Sequence, residues 1–326
     1  VRMSALRCRL AQRSQCMLHR LASGTARMAS AATSPTASLA KTSEAAAAVA
    51  GASARPASSS ASKITVRPSD ARGHADHGWL SSSHTFSFAG YHDHRFDGFG
   101  PLRVINEDFV QGSFGFGKHS HSNFLIFSYP LSGALRHVDS LGNTERVGRG
   151  AVQFTAAGTG ISHSEANISG SDPVHFLQIW LQPHRRGEKP RYVTRHFADE
   201  EKRNALRPIV TADGADKTIV SGRGDVAVYA CILEDGERVT HTFRGGRGYI
   251  HVPQVPGTQG VTVNGERLRP GDGAFIVDAD TVAITAHADK DASRKSGRSL
   301  RVSRSIDGAF DYGSVPGTEF LLFDMA

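Results

Sequence analysis

Gly115-Phe116-Gly117-Lys118-His119-Ser120-His121 is the stretch on which the reading of this chain turns. In a strand, side chains at i and i+2 point to one face. His119 and His121 then present two imidazoles to the same side, about 7 Å apart along the backbone by the strand rise. Further on, Gly158-Thr159-Gly160-Ile161-Ser162-His163-Ser164-Glu165 repeats the device, with His163 and Glu165 sharing a face. A lone His-x-His is more often a surface or hydrogen-bonded pair. Two such pairs, each following a Gly-rich turn, favour a metal centre. Three imidazoles and a carboxylate make a borderline N/O donor set suited to one divalent ion, with Fe(II) first and Ni, Mn, Co, Cu or Zn also accepted.

Around these pairs, short alternating segments are broken by Gly, Asn and Pro every eight to twelve residues or so, the pattern of an all-β sandwich or barrel. Thr85 to Phe88, Leu102 to Ile105, Phe124 to Tyr129, Val152 to Phe154 and Phe176 to Trp180 read as strands. Helices are expected to be few and short, with Ala198 to Leu206 the one helical stretch. Glu145-Arg146-Val147-Gly148-Arg149-Gly150 is echoed by Glu266-Arg267-Leu268-Arg269-Pro270-Gly271, each after a Gly/Asn turn and before a strand. The echo implies two copies of one hairpin-rich barrel in tandem. Both histidine-bearing pairs facing inward would place the ion in the mouth of the first barrel, where ligand cavities form. His241, His251 and His287 stand singly, so the second barrel is expected to be metal-free. His74, His77 and His84 are expected to be hydrogen-bonded near the barrel seam, His137 near the pocket, and Cys231 in a core.

Charge separates the chain into two parts. Eight of the 38 Lys and Arg residues and one of the 31 Asp and Glu residues lie in residues 1–60, leaving 30 of each beyond. The neutral body lacks the cationic excess that nucleic-acid binding requires. Residues 1–62, rich in Ala, Ser and Arg and almost free of acid, have the composition of a disordered leader serving as an organelle transit peptide, mitochondrial before plastid. If that leader is not used, the cytoplasm or nucleus is the alternative. The longest apolar run, Ala45 to Ala50, is far too short for a membrane helix. Only Cys231 lies beyond the leader, so no internal disulfide is expected there.

The motifs Gly115 to His121, His137 to Asn143, Ala157 to Asn167, Arg72 to Leu80, His84 to Phe88 and Leu102 to Asn106 closely resemble pirin-family proteins of the cupin superfamily. The likeness is strong over residues 64–200 and weaker beyond. It implies two jelly-roll cupin barrels: a metal-binding one at 63–185, and a metal-free one at 186–326 with a basic insertion at 291–318. The family's ligands fall on His119, His121, His163 and Glu165. Two residues depart from the family pattern: Ser120 replaces a proline, and Leu125 replaces a glutamate that is not a ligand but that puts the tuning of the pocket in question.

The resemblance implies a quercetin 2,3-dioxygenase-like oxygenase acting on a flavonol or related phenol with O2. Glu165 would act both as ligand and as the catalytic base, and Phe114, Phe116 and Phe124 are candidates to line the pocket. The alternative it offers is a non-catalytic, iron-dependent redox-sensing regulator with a protein partner, of the transcriptional coregulator type. A monomer is expected in either case.

Overall fold

The structure is a computed structural model that describes residues 63–287, 306, 308–313 and 316–326. The leader at 1–62 and most of the basic insertion lie outside the described residues. The first barrel is built from β2 (Gly73–Asp76), β3 (Leu80–His84), β4 (Leu102–Val110), β5 (Gly115–His121), β6 (Leu125–Ser132), β7 (Ala134–Asp139), β8 (Thr144–Gly148), β9 (Ala151–Ala156), β10 (Ile161–Asn167), β11 (Val174–Leu181) and β12 (Arg191–His196). The second is built from β1 (Lys63–Arg67), β13 (Arg207–Thr211), β14 (Ile219–Val220), β15 (Val226–Leu233), β16 (Arg238–Thr242), β17 (Arg247–His251), β18 (Val261–Val263), β19 (Glu266–Leu268), β20 (Gly273–Val277), β21 (Thr281–Ala286) and β22 (Thr318–Met325).

Each barrel joins a seven-stranded to a four-stranded sheet. The orders β12-β9-β6-β11-β4-β3-β2 and β5-β10-β7-β8 are matched by β1-β20-β17-β22-β15-β13-β14 and β16-β21-β18-β19. The sequence echo falls on β8 and β19, the equivalent edge strands of the two small sheets. Gly142 and Gly265 in the preceding turns have φ of 92° and 95°, where glycine carries no Cβ penalty. Two strands cross the boundary expected near residue 186. β1 pairs with β20 of the second barrel, and β12 returns to pair with β9 of the first. Each covers a sheet edge that would otherwise expose unpaired backbone groups.

The two large sheets pack face to face. Strand parity explains why β6 and β11 are buried on both faces. Phe127 and Tyr129 of β6 and Ile179 of β11 point into the seam, where they join Val228, Tyr249 and Phe323 of the second barrel in one core. Each large apolar side chain buried there contributes about 1.5–3 kcal/mol. Leu125 belongs to this seam core, on the opposite face of β6 from Ser128. Its departure from the family pattern therefore changes seam packing and leaves the pocket alone. Thr85 to Phe88 is not a strand: β3 ends at His84, and Phe86 instead packs across the seam, 6.2 Å from the Tyr249 ring and 6.1 Å from that of Phe275.

Buried charge interrupts the apolar seam at Glu107 as well as at Glu319, which Tyr129 and Lys202 contact. Glu107 of β4 meets Arg72 at 2.7 Å, His175 at 3.0 Å and His251 of the second barrel at 3.7 Å. Burial alone would raise its carboxyl, but Arg72 and the two histidines hold it well below the usual carboxylate range. The helical stretch shrinks to α1 (Asp199–Lys202). Arg203 is already extended, Asn204 has φ of 50°, and Lys202 turns inward to Glu319 at 3.2 Å. Among the described residues no helix is long and apolar enough to cross a membrane.

Candidate metal centre

β5, β10 and β7 lie side by side in the small sheet of the first barrel, and their register assembles the centre. His163 pairs with His119, and Ile161 with His121. On the other flank, Asp139 pairs with His163, and His137 with Glu165. The register of β5 against β10 shifts between His163 and Glu165, so that Glu165 pairs with Phe116. This bulge places one extra residue on β5 and lets Phe116 share the inward face with His119 and His121. It also sets the Gly117 carbonyl 2.8 Å from His119 Nδ1, which fixes the ring by accepting its proton.

The structure brings all four expected ligands into one part of the barrel. Ring centroids lie 4.7 Å apart for His119 and His121, 4.5 Å for His119 and His163, and 4.9 Å for His121 and His163. Donor atoms of these three histidines lie within 4.8 Å of one another, and Glu165 groups at the same distance with His163 and His137. His163 thus joins two overlapping sets of donors. His121, His163 and Glu165 are buried, whereas His119 is partly exposed, so solvent reaches the centre from the His119 side.

His163 shows that the residues fit a metal. Burial, followed by the neighbouring His119 and His137, pushes its pKa down to about 2, so the ring stays neutral with a lone pair available. Both of its ring nitrogens are buried and meet no hydrogen-bond partner. Buried polar atoms are rarely left so, and an ion held by the lone pair supplies what is missing. Glu165 is turned toward Ser128, whose Oγ donates to Glu165 Oε1 at 3.0 Å and lies 2.7 Å from the Gln178 side-chain amide.

Several residues around the centre escape the two-pair reading. Asp108 of β4 faces the barrel interior and accepts a hydrogen bond from Ser82. Burial, together with the charges of Glu165 and Glu107, raises it to about 7 despite that hydrogen bond. Trp180 lies with its ring 4.9 Å from that of His121 and 5.2 Å from that of Phe124. At the other end, Trp79 packs on Phe114 at 6.1 Å and on Phe116 at 5.6 Å. The signal for Asp108, Ser128 and Gln178 was strand parity, which puts each on the inward face of a strand otherwise rich in apolar residues. His84 does lie buried, with Nδ1 2.9 Å from Asn106 Oδ1, but His74 and His77 are exposed. His92 and His94 are exposed as well and stand apart from the centre. Ser120 points outward, its Oγ 2.7 Å from that of Ser162, so its departure from the family pattern also leaves the donors in place.

Comparison with known proteins agrees with this architecture. Residues 65–181 match the Pirin family, and residues 209–292 match the quercetinase C-terminal cupin domain. The chain is 41% identical over 230 residues to the quercetin 2,3-dioxygenase of Escherichia coli K12, covering 70% of this chain and 95% of that protein. It is 37% identical over 227 residues to the pirin-like protein of Caulobacter vibrioides, covering 69% and 96%. The crystal structure of the bacterial pirin YhhW from Escherichia coli in complex with nickel(II) superposes with a TM-score of 0.67 at 35% identity, covering 81% of this chain and 99% of that one.

Proposed function

Since the chain belongs to the pirin family of two-barrel cupins, we propose that it is a metal-dependent, quercetin 2,3-dioxygenase-like oxygenase that acts on a flavonol or related phenol with O2. The observation that carries this reading is the neutral, partnerless His163 imidazole set among His119, His121 and Glu165 in a barrel open on one side. Fe(II) is the ion we assign, because imidazoles and a carboxylate with open positions suit oxygen chemistry. Bound by His119, His121, His163 and Glu165, the ion would act as a Lewis acid that lowers the pKa of a phenolic hydroxyl.

The chain's own residues supply the rest. Glu165 takes the hydroxyl proton on Oε, a role open to a carboxylate that lies beside the ion and is steadied by Ser128. The half-buried rings of Trp180 and Phe124 flank His121 and give an aromatic substrate an apolar face to pack on. The address, mitochondrial by the composition of residues 1–62, is tested by a fluorescent fusion with and without them.

The function is tested by oxygen uptake with quercetin in metal-loaded protein, beside elemental analysis of natively purified protein. The wild type consumes O2 and carries a transition metal, and His121→Ala loses both. Turnover that persists in metal-free protein overturns the mechanism. A metal-loaded protein that consumes no O2 with any flavonol overturns the activity and favours the regulator.

A further inference from the structure

β11 and β12 are joined by Gln182-Pro183-His184-Arg185-Arg186-Gly187-Glu188-Lys189-Pro190. In a body whose Lys and Arg balance its Asp and Glu, this short segment carries three permanent cations and one acid. Arg185, Arg186 and Lys189 are exposed, and none of them meets a carboxylate among the described residues. His184, by contrast, has Asp225 as a charged neighbour. An exposed run of charge is usually only solvated, so its meaning depends on where the fold holds it.

Three hydrogen bonds fix the backbone of the segment. Arg223 Nη1 donates to the Gln182 carbonyl at 2.5 Å, the Gly187 N–H to Asn123 Oδ1 at 2.8 Å, and the Thr159 N–H to the Glu188 carbonyl at 2.8 Å. Gly158, with φ of 48°, is approached so closely that a Cβ there would meet the Glu188 carbonyl oxygen. Asn123 follows His121 by two residues, and Gly158 and Thr159 lie in the turn that leads into β10 and His163. The segment is therefore tied to the turns beside both histidine-bearing strands, at the end of the small sheet where Ile161 pairs with His121.

Rings line the same end of the barrel. On β11, Gln178 faces inward to Ser128, and Trp180, two residues on, shares that face. The Trp180 ring lies 4.9 Å from that of His121, 5.2 Å from that of Phe124 and 5.6 Å from that of Phe88. Trp180, Phe124 and Phe88 are all partly buried. Trp180 Nε1 is buried and meets no hydrogen-bond partner, which leaves an N–H donor beside the rings for an oxygen of a bound molecule. Apolar rings, a free donor and a cationic edge together suit a planar aromatic molecule that bears an acidic group.

We propose that residues 182–190 form a cationic rim on the metal-bearing barrel that selects, among phenols, those carrying an acidic substituent. Trp180, Phe124 and Phe88 take the aromatic body of the substrate, and Arg185, Arg186 and Lys189 draw in its anionic group. Because the backbone is already fixed, binding costs only side-chain freedom. Each exposed charge pair contributes little, so the three cations together favour the acidic phenol by about tenfold, and less as salt rises. The proposal rests on the reading of the site as one that binds metal and phenol, and not on the reaction that follows.

Anaerobic calorimetric titration of the metal-loaded full chain compares quercetin with quercetin sulfonated on its catechol ring. The wild type is expected to bind the sulfonate about tenfold more tightly at low salt, a preference that shrinks at high salt. Combining Arg185→Ala, Arg186→Ala and Lys189→Ala should bring the two affinities to within about twofold of each other. Metal content, read by elemental analysis, should stay that of the wild type, which shows that the barrel is intact. Equal affinities in the wild type overturn the rim and leave the proposed function standing. So does a preference that survives the triple alanine variant or ignores salt. A metal-loaded wild type that binds neither ligand overturns both.

Discussion

The two barrels share one strand order and differ in what fills them. Pairing makes the comparison position by position. In the first, His163 faces His119, and Glu165 faces His137. In the second, Val282 faces His241, and Ile284 faces Val263. The same register sets Phe243, whose backbone N–H bonds the Asp280 carbonyl, where the first barrel has His121. His241 alone keeps the imidazole, and Asp324 takes its Nε2 at 3.2 Å. The second barrel is packed with Val261, Val263, Leu268, Val282, Ile284 and Phe320, all at 0% exposure. The first buries Asp108, Ser128, Gln153, Gln178, Glu165 and His163 instead. One scaffold thus spends its interior on stability in one copy and on chemistry in the other.

That asymmetry breaks most visibly at His163, the donor common to both groups. His163→Ala is expected to lower metal affinity by on the order of a thousandfold or more and to abolish oxygen uptake, since binding requires the donor set complete. Metal-free stability should change little, because the lost ring carried two unpartnered nitrogens. Metal titration beside thermal melting of the metal-free protein checks both halves. A variant that binds metal as the wild type does removes His163 from the centre.

The equivalent change across the comparison acts on the other quantity. Ile284→Ala in the filled barrel is expected to cost about 2–5 kcal/mol in unfolding free energy, the transfer loss plus the cavity it leaves. Metal stoichiometry should stay unchanged. Denaturant unfolding with a metal titration on the same sample reads this, and a metal loss as large as that of His163→Ala would mean that the two interiors are coupled.

The sequence made legible what depends on short-range pattern. The i, i+2 pairs identify the inward faces of β5 and β10, and the Glu145 and Glu266 echo falls on equivalent edges because turn and strand recur together. Long-range pairing was out of reach. Nothing local in Lys63–Arg67 announces that it covers the far barrel, or in Arg191–His196 that it turns back. The bulge that carries Phe116 inward is set by which residues of β10 lie opposite, not by Gly117 and Lys118 alone. Thr85 to Phe88 alternates like a strand, yet its one buried ring, that of Phe86, is satisfied by aromatic packing across the seam. His137 illustrates the same limit. Its neighbours Asp139 and Asn143 are visible in sequence, whereas Tyr192, His163 and Glu165 reach it only in the fold.

Asp108 gives the most particular contrast, since the second barrel places Tyr229 and Cys231 on the equivalent strand, β15. Cys231 is inert there, its thiol pushed up to about 12 by burial. Asp108 is an acid whose pKa rises from 3.8 unfolded to about 7 folded, through burial first and then the charges of Glu165 and Glu107. Below the unfolded value both states hold the proton, and the residue has no effect on pH dependence. Between the two values only the folded state holds it, so stability falls as pH rises, and above about 7 the full cost is present. Asp108→Asn removes that cost and keeps an oxygen to accept from Ser82. In metal-free protein the variant should match the wild type near pH 4 and exceed it by about 4 kcal/mol at pH 8. Denaturant melts across that range decide it. A gain that is constant with pH, or greatest at low pH, would show that Asp108 is ionised in the folded barrel and that the polar interior compensates its charges better than its surroundings indicate.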